Sequence, residues 1–263
     1  MINLPRAPDE WEPDAVQAVL RSDALTLVLQ PIVDAKSGHV VSYEALLRLR
    51  RADGTHAPAA ALIASAEDNG LIQEIDDRVL EMGLALLGRY PHLNLSLNVS
   101  SLTAHGCGWV ARLKEIAAAS PGLTSRLTIE ITETAMIRDI DQVSRFVDDV
   151  RALGCRVAID DFGAGYTSFR HLKTLNVDIL KIDGAFINDL PDDPQSRTLA
   201  KTMIEMARAL GLTTVAEWVG NAAAAAFLRD AGADALQGYF YGEPKPIEDL
   251  IGLPAFAPPP PQD

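Results

Sequence analysis

Hydrophobic and polar positions along the chain fall into two periods, and each stretch predicts its own element. Apolar residues at helical spacing over Pro13 to Ser22 predict a first helix, and the apolar run Leu25 to Val33 predicts a buried strand. Asp34 to Gly38 reads as a turn, after which His39 to Leu49 carries the β-branched and apolar residues of a second strand. A link this short predicts an antiparallel pair, because parallel neighbours need a long crossover. Beyond Arg50 the alternation becomes regular. Helices Pro58 to Asp68 and Ile75 to Tyr90 precede strand Leu93 to Val99, and helix Trp109 to Ala119 precedes strand Leu127 to Ile131. Helix Asp139 to Leu153, stopped by Gly154, leads into strand Arg156 to Ile159, which ends on Asp160. Next come helix Thr167 to Leu175, strand Ile179 to Ile182 and helix Pro194 to Leu210 behind an Asp193 N-cap. Strand Thr213 to Ala216, helix Asn221 to Ala231 and strand Ala233 to Leu236 complete the pattern.

Eight strands alternating with helices in 263 residues predict an α/β protein closed as a TIM-like (β/α)8 barrel, with an antiparallel first strand, over residues 13–252. Residues 1–12 read as an N-terminal extension. The tail, residues 253–263, contains Pro258 to Pro261 and reads as extended or disordered. No GxGxxG turn follows the first strand to indicate a dinucleotide fold.

Composition narrows the function. A net charge of -13 argues against a protein that tracks DNA or RNA, since such proteins need a basic surface to displace counterions from phosphates. A phosphate-bearing ligand would therefore need cations to help it bind. Cys107 and Cys155 have no CxxC spacing and read as inert, partly buried thiols. Met1 to Trp11 lacks the basic start and apolar stretch of a signal peptide, and runs such as Ala59 to Ala66 fall short of a membrane span. The chain is read as cytoplasmic.

In a barrel, residues at the C-terminal ends of the strands converge on one mouth although they are far apart in sequence. Here those positions hold Glu44, Asn98, Glu130, the pair Asp160 and Asp161, Lys181, Glu217 and Gln237. Any one acid after a strand is commonly a helix cap or a solvated loop residue, but the set would repel itself unless cations or protons offset its charge. Carboxylate and amide oxygens suit hard cations, and the five histidines show no HExxH or other tight ligand spacing, so magnesium or manganese is favoured over zinc. Adjacent aspartates point in different directions from a strand end. Asp160 could bridge two ions while Asp161 touches only the second, an arrangement suited to phosphoester hydrolysis.

The blocks Gln30-Pro31-Ile32-Val33, Tyr43-Glu44-Ala45-Leu46-Leu47-Arg48, Asn98-Val99-Ser100 and Glu130-Ile131-Thr132-Glu133 occur in that order. Asp160-Asp161-Phe162-Gly163-Ala164-Gly165-Tyr166, Lys181-Ile182-Asp183, Ala216-Glu217 and Gln237-Gly238-Tyr239 follow. Together they closely resemble the EAL domains, bacterial phosphodiesterases of the second messenger cyclic di-GMP. The resemblance runs from about Leu25 to Pro244. It implies cleavage of cyclic di-GMP to linear pGpG by a homodimer. It also implies a first metal held by Glu44, Asn98, Glu130 and Asp160, and a second served by Asp160, Asp161 and Glu217. Lys181 would position the attacking water, and its carboxylate surroundings favour orientation and charge stabilisation over a general-base role. Gln30, Leu46, Arg48, Asp76 and Gln237 are implied ligand contacts, with Arg48 suited to a phosphate through its planar donors. Glu133 is implied as the anchor of the loop Phe162 to Phe169, whose glycines allow movement.

Three positions depart from the family pattern. Trp218-Val219-Gly220 stands where the family usually continues Gly-Val-Glu, Arg78 where it often has tryptophan, and Glu243 where a basic residue often precedes Pro244. The rival reading is an EAL-type receptor that binds cyclic di-GMP and cuts it weakly or not at all.

Overall fold

The computed structural model describes residues 11–250 except 52, 107, 136–138, 164–171, 173 and 191–192. Ten strands form one sheet: β1 (Leu25–Asp34), β2 (Val40–Arg50), β3 (His56–Pro58), β4 (Leu95–Val99), β5 (Leu127–Thr132), β6 (Arg156–Phe162), β7 (Ile179–Ile182), β8 (Thr213–Ala216), β9 (Ala235–Gln237) and β10 (Lys245–Pro246). The order β1-β9-β8-β7-β6-β5-β4-β2 returns to β1 through the β1–β2 pairing and closes the barrel. As the short turn predicts, β1 is antiparallel to β2, and it is antiparallel to β9 as well. The two strands beyond the predicted eight, β3 and β10, are short additions on β2 and β1.

Helices α1 (Pro13–Leu20), α2 (Ala60–Asp68), α3 (Ile72–Arg89), α4 (Ser101–Ala104), α5 (Gly108–Ala119), α6 (Ile140–Ala152), α7 (Pro194–Ala209), α8 (Ala222–Ala231) and α9 (Ile247–Leu250), with short 3-10 turns at Thr124–Arg126 and Gly184–Phe186, complete the described elements. Their starts follow local chemistry. Asp139, Asp193 and Asn221 each accept hydrogen bonds from the first-turn amides of the helix they precede, and Pro194 occupies a position whose amide would be unpaired anyway. The helix expected over Pro58 to Asp68 begins two residues later, because His56–Pro58 first pairs with β2. The one expected from Ile75 begins at Ile72. The helix expected over Thr167 to Leu175, the residue Cys107 and the proline-rich tail lie largely or wholly outside the described residues. Cys155 is buried, and that burial pushes its thiol up.

The barrel interior explains where the site sits. Side chains two apart on a strand share a face. Ile32, Ala158, Ile179, Val215 and Ala235 form a buried apolar cluster inside the barrel. Each lies two residues from Gln30, Asp160, Lys181, Glu217 and Gln237 respectively, so the polar residues form the layer above this floor. On β2, β4 and β5 the corresponding pairs are Ser42 and Glu44, Ser96 and Asn98, and Thr128 and Glu130, with the three hydroxyl residues also buried. Among the described residues no helix is long and apolar enough to cross a membrane.

Candidate metal centre at the barrel mouth

Strand register brings the polar layer together. Gln30 lies opposite Glu44 across β1 and β2, Asn98 opposite Glu130 across β4 and β5, and Gln237 opposite Ile32 across β9 and β1. At the centre is Lys181, 1% exposed, with its Nζ 2.6 Å from Glu130, 2.9 Å from Asp160, 2.9 Å from Glu217 and 3.4 Å from Glu44. Burial opposes a charge there, but Glu130, Glu44, Glu217 and Asp160 outweigh it and hold the ammonium well above its ordinary value. Lys181 is therefore a fixed cation at neutral pH. Glu44 accepts hydrogen bonds from Asn98 Nδ2 at 2.7 Å and from Gln237 Nε2 at 2.6 Å. Burial works against its anion, yet Lys181 and these two amides hold it below its ordinary value.

The pair at the end of β6 depends on a feature the strand period does not contain. β6 was expected to end at Ile159; it continues to Phe162 across a bulge, where the register with β7 slips by one residue. Asp161 takes φ 53 in that bulge. A regular strand would send Asp160 and Asp161 to opposite faces, whereas the bulge re-aims one of them. The result is two clusters with ligand atoms all within 4.8 Å of one another: Glu44, Glu130 and Asp160, and Asp160, Asp161 and Glu217. Asp160 belongs to both.

The donor set fits hard divalent cations. Every ligand atom in the two clusters is a carboxylate oxygen. Among the described residues Gln237 Oε1 is buried with no hydrogen-bond donor, and buried Asp160 Oδ1 is met by the Lys181 ammonium at 2.9 Å, so both keep lone pairs that a cation could take. Burial pushes Glu217 up to about 8 against the pull of Lys181, with the Asp160 and Glu44 charges adding to it. Asp161 is pushed to about 6 by burial and by Asp160. Both shifts come first from burial and then from neighbouring carboxylates, and a bound divalent ion would oppose them.

Beside the clusters lies a cleft of about 410 Å³ whose walls include Gln30, Leu46, Arg48, Asp161, Glu217 and Gln237. Five residues proposed from the sequence as ligand contacts thus become four in the cleft and one outside its lining, Asp76. The Asp76 carboxylate is buried and accepts hydrogen bonds from Ser100 N at 3.1 Å and Ser100 Oγ at 2.7 Å. Ser100 in turn caps α4, so Asp76 secures the turn that follows Asn98. Its burial raises it from 3.8 to about 6, against the hydrogen bonds from Ser100. The folded state then holds a proton more tightly than the unfolded chain, so stability is full below about pH 4 and declines as pH rises through 6, by about 3 kcal/mol. Asp76→Asn keeps an acceptor for Ser100 without the charge. Urea unfolding should show the variant gaining on the wild type between pH 4.5 and 7; a difference independent of pH would contradict the assignment.

Glu133 follows β5, is buried, and accepts a hydrogen bond from Gly163 N at 2.8 Å. A Cβ on Gly163 would lie 2.6 Å from the Phe186 ring, and φ is 102 there, so the start of this loop requires glycine. Residues 164–169 of the loop lie outside the described residues. Sequence reasoning passed over Asn188, which lines the cleft beyond β7, although a polar residue soon after a barrel strand is a usable signal. It treated Trp218 only as a departure; the structure places that side chain in the cleft wall.

A closed barrel with paired oxygen-ligand clusters at the C-terminal ends of its strands defines a candidate divalent-metal protein. More narrowly, the family model for the EAL domain matches residues 14–244, and the chain belongs to that family. It is 32% identical over 253 residues to the cyclic di-GMP phosphodiesterase NbdA of Pseudomonas aeruginosa, covering 94% of this chain and 32% of that protein. It is 34% identical to the bifunctional diguanylate cyclase/cyclic di-GMP phosphodiesterase MucR of the same species, covering 90% of this chain and 35% of MucR. The chain thus spans about a third of the length of these relatives. Among solved structures, the PaMucR phosphodiesterase in complex with c-di-GMP matches with a TM-score of 0.82 and 33% identity, covering 90% of this chain and 98% of that one. The FimX EAL domain from Pseudomonas aeruginosa bound to c-di-GMP matches with a TM-score of 0.82 and 28% identity, covering 88% and 96%.

Proposed function

We propose that this chain is a phosphodiesterase that hydrolyses cyclic di-GMP to linear pGpG with two divalent ions, magnesium or manganese. The observation that carries this reading is the pair of carboxylate clusters sharing Asp160, set beside a cleft that holds Arg48. Glu44, Glu130 and Asp160, joined by the Asn98 amide oxygen, would hold one ion, and Asp160, Asp161 and Glu217 the other. Ions bound there supply activation of water and stabilisation of the leaving oxygen.

The remaining work falls to the chain's own residues. Asn98 and Gln237 fix the Glu44 carboxylate by donating to its two oxygens. Lys181, held protonated, orients water and offsets developing negative charge; it is a poor general base because four carboxylates oppose loss of its proton. Arg48, half-buried on β2 with Nη1 donating to the Leu47 carbonyl at 2.9 Å, presents a planar cation to a phosphate. Glu133 steadies the backbone after the aspartate pair through Gly163. The family resemblance adds a homodimer to this proposal, and the lack of signal-peptide and membrane-span patterns in the sequence adds a cytoplasmic setting.

Purified protein incubated with cyclic di-GMP and Mg²⁺ or Mn²⁺ should release pGpG, and EDTA should stop it. Absence of product at micromolar enzyme with either metal would defeat the proposal. The second reading, a receptor, draws on Trp218 standing in the cleft wall beside Glu217. Tight calorimetric binding without turnover would favour it.

A further inference from the structure

Trp218 sits where a free-standing protein gains least from a tryptophan. The side chain is 61% exposed, while Trp11 and Trp109 are buried. Its backbone has φ 55, a region a bulky residue enters only at a cost. One side of the ring rests on Gly184 at the turn after β7: a Cβ added there would lie 2.4 Å from Trp218 Cγ and Cδ1. The indole is therefore held in place from behind by a position that only glycine can fill. It helps line the cleft, as does Tyr239, itself 66% exposed at the end of the neighbouring β9. Trp218 also directly follows Glu217, so their Cα atoms are about 3.8 Å apart. An aromatic face is thus fixed beside the place where a phosphodiester would meet the acidic clusters. Flat nucleobases stack on such faces regardless of their hydrogen-bonding edges.

We propose that Trp218 is a ligand-binding residue of the cleft, stacking against a purine base of the bound cyclic dinucleotide. This rests on the cyclic di-GMP reading above and adds a residue to it. The backing by Gly184 supplies a rigid platform, so little side-chain freedom is lost on binding.

Equilibrium binding of cyclic di-GMP in EDTA, where metal-dependent turnover is stopped, tests the assignment by calorimetry and by intrinsic tryptophan emission. Wild-type emission should change saturably with ligand. Trp218→Ala should bind about tenfold more weakly, and Trp218→Phe, which keeps a ring, within about threefold of wild type. Trp218→Gly relieves the backbone strain and should melt no lower than wild type while still binding weakly, separating affinity from folding. Binding by Trp218→Ala within twofold of wild type would overturn the assignment. So would wild-type emission that responds to protein concentration and not to ligand, since the ring would then face a second copy of the chain. Where the wild type binds only once Mg²⁺ or Mn²⁺ is restored, the same affinity ratios are read in that metal; no calorimetric binding with or without metal means that the cyclic di-GMP reading itself fails and the assignment with it.

Discussion

Asp160→Asn is expected to lower cyclic di-GMP hydrolysis by roughly a thousandfold, about 4 kcal/mol of transition-state stabilisation. The size follows from position. Each of the other carboxylates serves one cluster, whereas Asp160 belongs to both, so one substitution weakens two cation sites. Asparagine keeps the shape and one oxygen but loses the charge and one ligand atom. Calorimetric titration with Mn²⁺ should show weaker binding alongside the lost turnover. Hydrolysis within tenfold of wild type would mean that the shared carboxylate is not central to the chemistry.

Lys181→Met should have the second large effect, on stability as much as on rate. The lysine is the cation that Glu44, Glu130, Asp160 and Glu217 share inside the barrel. Removing one partner of a buried ion cluster leaves uncompensated charge and costs about 3–5 kcal/mol. For a domain of this size the melting temperature in EDTA should fall by roughly 10 °C. Divalent ions bind the folded state and replace part of the lost charge, so Mn²⁺ should raise the variant's melting temperature more than the wild type's. Equal melting of variant and wild type in EDTA would show that the carboxylates are neutralised in some other way. The two variants thus separate the lysine's structural role from the bridging role of Asp160.

Much of the fold and of the proposed site was legible in the chain because barrel geometry converts sequence periodicity into spatial order. The polar layer at Asn98, Glu130, Lys181 and Gln237 could be anticipated from strand ends alone, since parallel strands deliver their C-terminal residues to one mouth. The apolar floor of Ile32, Ala158, Ile179, Val215 and Ala235 follows from the same two-residue period. Asp76 shows where local pattern runs out. Nothing in the sequence around it says that Ser100, 24 residues away, will claim its carboxylate.

The sequence by itself determined the alternating β/α order, the antiparallel first strand and the family, because hydrophobic periods, turn residues and ordered motif blocks are all written along the chain, while the β1–β2 pairing closes the barrel. Tertiary structure alone decided three things. The bulge in β6 places Asp160 and Asp161 in one cluster, since only pairing with β7 reveals the slipped register. The convergence on Lys181 shows it as a buried, shared cation, a matter of distances between strands. The seating of Trp218 on Gly184 turns a departure from the family pattern into a fixed, exposed ring beside Glu217, because the residues after β7 and β8 meet only once those two strands have paired.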